Sequence, residues 1–406
     1  MIGSPDEERL TPALWGLAAI LTLGGFLSMF TATVVTVALG TIAAGFRAPL
    51  GTAQWIATGY LLALAAMVPV SGWASRRFGT TRLWLVCVGL FAVFSALCAA
   101  ASSVEALIAF RVLQGAAGGL LVPAGQILFA TMVGPKRLGR MMAVLSIPIY
   151  LAPVLGNLAG SVLAERFGVP WLFLVNVPLA LLCLLLGRKR LPREEPVDTR
   201  PLDLRGLVLT VTGLPLLVYG FAEAAPVAAA AGALLLAVFA VTALRSPAPL
   251  LDLRLFRDRA FSSAAAVIFG MGIALFGAMI VLPLYYLDVR HESLVATGFL
   301  TAPLALGTVL ALPLAGRLAT TPALATGLVA VPKERISHAM PLFAMLQRIG
   351  GSFGTSTLTA VVAARLAAAP GSAAAVAGTH WWIAGITAIV LIPSWLLVRA
   401  EMSTKD

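Results

Sequence analysis

Residues 105–133 read EALIAFRVLQGAAGGLLVPAGQILFATMV. After Glu105 the stretch carries one charged side chain, Arg111. A helix needs about 20 mostly apolar residues to cross the hydrocarbon core of a bilayer, and this run exceeds that. A helix on the surface of a soluble protein would place polar residues along one face. Here the apolar character runs all the way round, so the solvent of this segment is lipid. The whole chain agrees. Its 406 residues are 60% hydrophobic and 11% charged, with a mean hydropathy of +0.98. Soluble domains carry about 25% charged residues and leave roughly a quarter of their unfolded surface wet. A soluble enzyme, a nucleic-acid binder and a disordered chain are therefore excluded. Cys87, Cys98 and Cys183 all lie inside apolar runs and imply neither a disulfide framework nor a metal site.

Working outward from residue 105 in both directions gives twelve runs of spanning length: 14–39, 53–74, 83–102, 105–133, 141–163, 169–187, 206–225, 227–244, 261–287, 295–315, 340–368 and 379–398. A further apolar run, Leu318 to Val331, is too short to cross as a straight helix. No alternation typical of a membrane barrel occurs. The expected fold is all-α: a polytopic helical bundle of about twelve full transmembrane helices plus one short apolar segment. The N-terminal MIGSPDEERL lacks a basic leader, and the run after it is too long for a cleaved signal. It reads as the first span.

The basic residues orient the bundle. With the N-terminus in the cytoplasm, only Arg47, Arg166 and Arg290 fall outside, and Arg111, Arg348 and Arg365 fall within spans. The other 22 of the 28 Lys and Arg face the cytoplasm, as the positive-inside rule requires. Both termini are expected to be cytoplasmic, in a cell membrane. The net charge of +11 then needs no nucleic-acid partner. The eight tryptophans sit near span ends, where amphipathic rings belong. The expected organisation is an N-terminal six-helix bundle (1–187), a cytoplasmic loop (188–205), two linker helices (206–244), a second loop (245–260) and an incomplete C-terminal bundle (261–406). Val68–Gly79 (VPVSGWASRRFG) and Leu312–Pro322 (LPLAGRLATTP) echo each other at cytoplasmic helix ends, as parallel repeats in transporters do. After Pro322 only two full spans remain, so the second half reads as two helices short.

Several stretches resemble the major facilitator superfamily. GWASRRFGTTR (Gly72–Arg82) is similar to its loop between spans 2 and 3, which implies a cytoplasmic gate at Gly72, Arg76, Arg77 and Gly79. The family often has Asp where Arg76 stands. LIAFRVLQGAAGG (Leu107–Gly119) resembles the fourth-span motif of proton-driven antiporters, with Arg111, Gln114 and Gly115 in register. Independently, an arginine about 10 Å below the outer boundary, counted at 1.5 Å per residue, is costly and reads as functional. Gly115 and Gly119 make a small-xxx-small pair for close helix packing. IYLAPVLGNLAGS (Ile149–Ser161) resembles the antiporter motif of the fifth span, with Pro153, Gly156 and Gly160; Asn157 stands at a family proline. WLFLVNVPLA, LDLRGLVLTVTGLPLLVYG, PLLDLRLFRDRAF, LPLYYLDVRHES and AMLQRIGGSFGT extend the likeness to the fourteen-span drug:proton antiporter branch, the EmrB/QacA-type multidrug exporters. The resemblance implies efflux of small amphipathic compounds, cationic or neutral, driven by protons, with rocking of two bundles about a midplane cavity.

Two departures stand out. The branch has two spans where this chain has the 15 residues between Arg317 and Lys333. The branch also has an acidic first-span motif; FTATVVTVALG (Phe30–Gly40) puts Thr31 at the Asp position and Thr36 at the Asn position. No carboxylate lies in mid-span, which leaves Glu223 and Asp288, near outer span ends, as candidate proton sites and implies weakened proton coupling. Met271, Phe276, Met279, Tyr285 and Tyr286 are candidate cavity residues, although ordinary packing would account for each. The alternative to an exporter is a truncated, transport-inactive remnant or scaffold. An intramembrane enzyme is disfavoured: His291, His338 and His380 lie far apart, without metal spacing or paired carboxylates. No phosphate-cradling motif occurs, so neither ATP nor a cofactor is expected.

Overall fold

The computed structural model describes residues 12–133, 162–192, 201–286 and 336–368, isolated positions between 148 and 160 and between 290 and 303, and residue 385. Every long element within them is a helix: α1 (Pro12–Val37), α2 (Leu39–Phe46), α3 (Leu50–Met67), α4 (Val70–Phe78), α5 (Thr80–Ala99), α6 (Val104–Val133), α7 (Trp171–Leu174), α8 (Asn176–Arg190), α9 (Leu204–Ala222), α10 (Pro226–Arg245), α11 (Arg259–Leu284) and α12 (Ile336–Ala368). Seven helices, some joined end to end, are long and apolar enough to cross a membrane among the described residues. They coincide with seven of the runs read from the sequence. The α11 and α12 helices cover two more runs. Leu318–Val331 and most of 141–163, 295–315 and 379–398 lie outside the described residues.

The chain divides into two compact units, residues 1–64 with 73–199 and residues 65–72 with 200–406. In the first, α6 packs on α5 and on α1, and α8 packs on α5. One apolar core joins Val34, Val35, Ile56, Cys98, Leu107 and Phe173. In the second, α9 pairs with α10, α11 pairs with α12, and α9 also reaches α12. There Ser356 Oγ donates to the Phe221 carbonyl, and the Phe221 and Phe353 rings meet edge-on at 5.5 Å. The linker helices thus pack against the second unit's own helix.

Three runs that the sequence presents as continuous are broken, each for a local reason. The first run ends at Ala38, where α2 begins. The second breaks between α3 and α4 at Val68 and Pro69, because proline has no N–H for the helical ladder. The expected gating loop is therefore largely the short helix α4, and Gly79 makes the turn into α5 at φ +81°, a conformation costly for any residue with a Cβ. The sixth run breaks between α7 and α8, where Pro178 cannot donate to the Leu174 carbonyl. Asp203 caps α9: its Oδ1 accepts from Gly206 N at 2.9 Å, and its Oδ2 accepts from Leu250 N at 3.2 Å, tying the two ends of the α9–α10 hairpin together.

Candidate functional site

The first unit encloses a polar network in an otherwise apolar interior. Arg111 on α6 is fully buried. Its Nε donates to the Ile56 carbonyl of α3 at 3.1 Å, and its Nη1 donates to Gln114 Oε1 at 2.8 Å. Gln114, one turn along the same helix, donates in turn to Ser95 Oγ of α5 at 2.5 Å. The guanidinium carbon stands 4.0 Å from the centre of the Tyr60 ring. In a dry interior such a cation–π contact offsets part of the lost hydration of the charge. The Tyr60 hydroxyl donates to the Ser28 carbonyl of α1 at 2.8 Å and lies 3.0 Å from the Ser28 hydroxyl. Four helices therefore meet around one cation: its own α6, α3 directly through Ile56 and Tyr60, α5 through Gln114 and Ser95, and α1 through Tyr60 and Ser28.

Two atoms in this region are left without partners among the described residues: Arg111 Nη2 and Thr31 Oγ1. Thr31 is fully buried and lies one turn beyond Ser28 on the same face of α1. An unsatisfied buried polar atom costs about 1–3 kcal/mol, and more when charged. Thr36 stands apart: it is exposed, and its hydroxyl turns back to the Ala32 carbonyl at 2.8 Å. Glu223 is exposed at the C-cap of α9, in the other unit. Asp288 lies outside the described residues.

The glycine positions explain how the helices come close enough. A Cβ on Gly115 would strike the backbone of Tyr60, and one on Gly119 would strike the backbone of Leu64. The pair thus sets α6 directly on α3 and brings Arg111 under the Ile56 carbonyl. Gly156 faces Phe30 and Thr33, and a Cβ on Gly160 would stand 2.8 Å from the Val34 carbonyl oxygen. Gly156 and Gly160 therefore rest against α1 at Phe30, Thr33 and Val34. Pro153 and Asn157 lie outside the described residues. Gly72 abuts the backbone carbonyl of Ser337, and its hypothetical Cβ lies 3.2 Å from Pro341 of α12. Arg76 is half-buried on α4 and Arg77 is exposed. The sequence reading missed Tyr60, Ser95 and Ser28. Their signal was faint: lone hydroxyls in mid-span, which only the fold brings to Arg111. It also missed Gly272 and Gly354, which pack α11 and α12 against each other through Gln347 and Ile273. Of the candidate cavity residues, Tyr285 and Tyr286 meet edge-on at 5.3 Å and Met271 packs against Val267; the side chains of Phe276 and Met279 lie outside the described residues.

Trp84 departs from the expected interfacial position of tryptophan. It is fully buried, and its indole lies against Gly24, Gly125 and Gly187 of three other helices. A separate apolar cleft of about 450 Å³ runs along the N-terminal half of α1, lined by Trp15, Ala18, Ala19, Thr22, Leu23 and Phe26 together with Pro148. Among the described residues no group of three or more His, Cys, Asp or Glu side chains could hold a metal ion.

The sequence matches the Major Facilitator Superfamily over residues 21–389. It is 38% identical over 320 residues to the multidrug resistance protein B homolog of Mycobacterium tuberculosis, covering 76% of this chain and 59% of that protein. It is 32% identical over 316 residues to the multidrug export protein EmrB of Haemophilus influenzae, covering 75% of this chain and 62% of that protein. The chain thus spans about three-fifths of the length of these relatives. The fold is similar to that of the proton:xylose symporter XylE, with a TM-score of 0.62 at 12% identity over 94% of this chain and 95% of the other.

Proposed function

The chain belongs to the Major Facilitator Superfamily, and on that premise we propose that it exports small amphipathic molecules across the cell membrane, drawing on the proton gradient. Both termini lie in the cytoplasm in this reading. The observation that carries it is the Arg111 network. A transporter helix that buries a guanidinium with no acid beside it among the described residues bears a cost that mere packing would not maintain. The network binds α6 to α1, α3 and α5, so a change of protonation or a shift at α1 moves the interior as a unit. Gly72, Arg76, Arg77 and Gly79 form the cytoplasmic gate, with Gly79 as its hinge.

The proton link is attenuated. Thr31 cannot titrate in the physiological range, whereas a buried Asp at the same place would have its pKa raised by desolvation. Glu223 and Asp288 remain as the proton sites nearest the outer surface. The test is efflux of ethidium and of neutral dyes from cells stripped of their own pumps, with and without a protonophore. Faster efflux than in vector controls, slowed by the protonophore, supports the reading. Accumulation equal to the control for every dye would make the chain a transport-inactive member of its family.

A further inference from the structure

We propose that Arg348 is a charge filter: with Ser352 and Thr355 it faces water on one side of α12, where it disfavours cationic substrates and admits neutral ones. The proposal rests on the export reading above for its physiological meaning and adds a specificity-determining residue to it.

Contacts divide the circumference of α12 into sides. Gly350 abuts the Phe269 carbonyl, Gly354 abuts the Ile273 carbonyl, and the Gln347 carbonyl abuts Gly272, so one side belongs to α11. Phe353 and Ser356 meet Phe221, so a second side belongs to α9. With about 3.6 residues per turn, Arg348 falls on neither. Ser352, Thr355 and Thr359 return to its side at the fourth, seventh and eleventh positions beyond it, which makes one polar stripe of half-buried residues. The Thr355 hydroxyl donates back to the Gly351 carbonyl at 2.9 Å, and Thr359 Oγ1 is buried without a partner. Thr357, on the opposite side of the helix, is exposed.

The stripe lies deep in the membrane. The helices α11 and α12 run parallel, because Phe269 and Ile273 meet Gly350 and Gly354 in the same order. Arg348 is thus level with Val267, nine residues or about 14 Å in from the Asp258 cap of α11. That is near the middle of a core about 30 Å thick. No Asp or Glu occurs between residues 293 and 333 or between 335 and 400. Asp203, Asp252 and Asp258 serve as helix caps, and Glu223 is exposed at the end of α9. Asp288 and Glu292 follow the outer end of α11, and Glu334 precedes α12. The fixed charge at the depth of Arg348 is therefore positive.

A stripe of this kind does not face lipid; it faces polar protein or the water through which a solute passes. A fixed arginine beside that water raises the barrier to cations and lowers it for anions. Neutral molecules pass unaffected.

Single cysteines in the full chain, in liposomes, test this; the wild type with its three buried cysteines gives the background. Ser352→Cys and Thr355→Cys should react faster with anionic sulfonatoethyl methanethiosulfonate than with the cationic trimethylammonioethyl reagent, each rate taken relative to a free thiol. Thr357→Cys should react with neither. Adding Arg348→Gln to Ser352→Cys should lower the anion-to-cation ratio about tenfold, about threefold for each sign, as one charge about 6 Å away in water gives. Arg348→Lys should keep the ratio, and about 1 M salt should compress it without any change at Arg348. In cells, Arg348→Gln should raise ethidium efflux about threefold relative to a neutral dye. A Ser352→Cys protein inert to both reagents, or a ratio indifferent to Arg348→Gln and to salt, would overturn the proposal and leave Arg348 packed against protein. An unchanged ethidium-to-neutral ratio in cells that export both would overturn the filter. Absence of efflux for every dye would count against the export reading, and the thiol ratio, which needs no transport, would still decide whether Arg348 acts on water.

Discussion

A buried arginine is costly unless its hydrogens are occupied, and among the described residues Arg111 meets this only in part, with a carbonyl on Nε, an amide on Nη1 and the face of a phenol ring, while Nη2 is left without a partner. Each partner has its own expected signature. Arg111→Ala should insert and fold, since losing a buried charge does not oppose insertion, and should abolish efflux. Unchanged efflux would reduce Arg111 to packing. Tyr60→Phe keeps the ring beneath the cation and removes the bond to Ser28, at a cost near 1 kcal/mol; a small drop in melting temperature with efflux partly retained is expected. Thr31→Asp places an acid on the buried α1 face that carries Ser28. Proton-linked efflux of cations should become stronger than in the wild type. If wild-type protein already exchanges protons for substrate robustly, the argument from Thr31 fails. Arg111 and Gln114 were legible in the sequence as polar residues at costly depth. Tyr60, Ser95 and Ser28 were not, because their role depends on three other helices being a few ångströms away.

At the scale of elements, glycines and prolines place the helices. The Gly115–Gly119 pair was readable from its spacing of four, and the structure supplies its partners, the backbones of Tyr60 and Leu64. Gly119→Leu should force α6 off α3 and break the contact that holds Arg111. Overpacking of this kind costs about 1–3 kcal/mol, so lower yield of folded protein and a lower melting temperature are expected in detergent. A Gly119→Leu protein that melts like the wild type would contradict the close approach. Hydropathy gave the lengths of the runs but hid the breaks at Val68, Ala38 and Val175, since a kinked helix and a straight one are equally apolar. The interruption by α4 in particular turns an expected loop into a rigid element that ends at a glycine hinge. Trp84 shows the same limit: its position near a span end suggested the interface, yet three glycines on neighbouring helices open an interior slot for it.

For the whole molecule, charge fixes what hydropathy leaves open. Arg290→Cys should react with an impermeant maleimide in intact cells, and Lys189→Cys should not. The native cysteines Cys87, Cys98 and Cys183 are buried and leave the background low. Strong reaction at position 189 would invert the orientation. Membership of the superfamily accounts for the helical architecture, while the weakened proton coupling proposed above rests on the threonine that stands in the first span and on buried Arg111. The most direct measurement is substrate movement in proteoliposomes containing the purified chain, wild type beside Arg111→Ala, with an imposed pH gradient. Movement by the wild type that exceeds empty liposomes and vanishes in Arg111→Ala is the result predicted. Equal movement by both proteins, or none by either, would contradict the claim that the Arg111 network is the working part of an exporter.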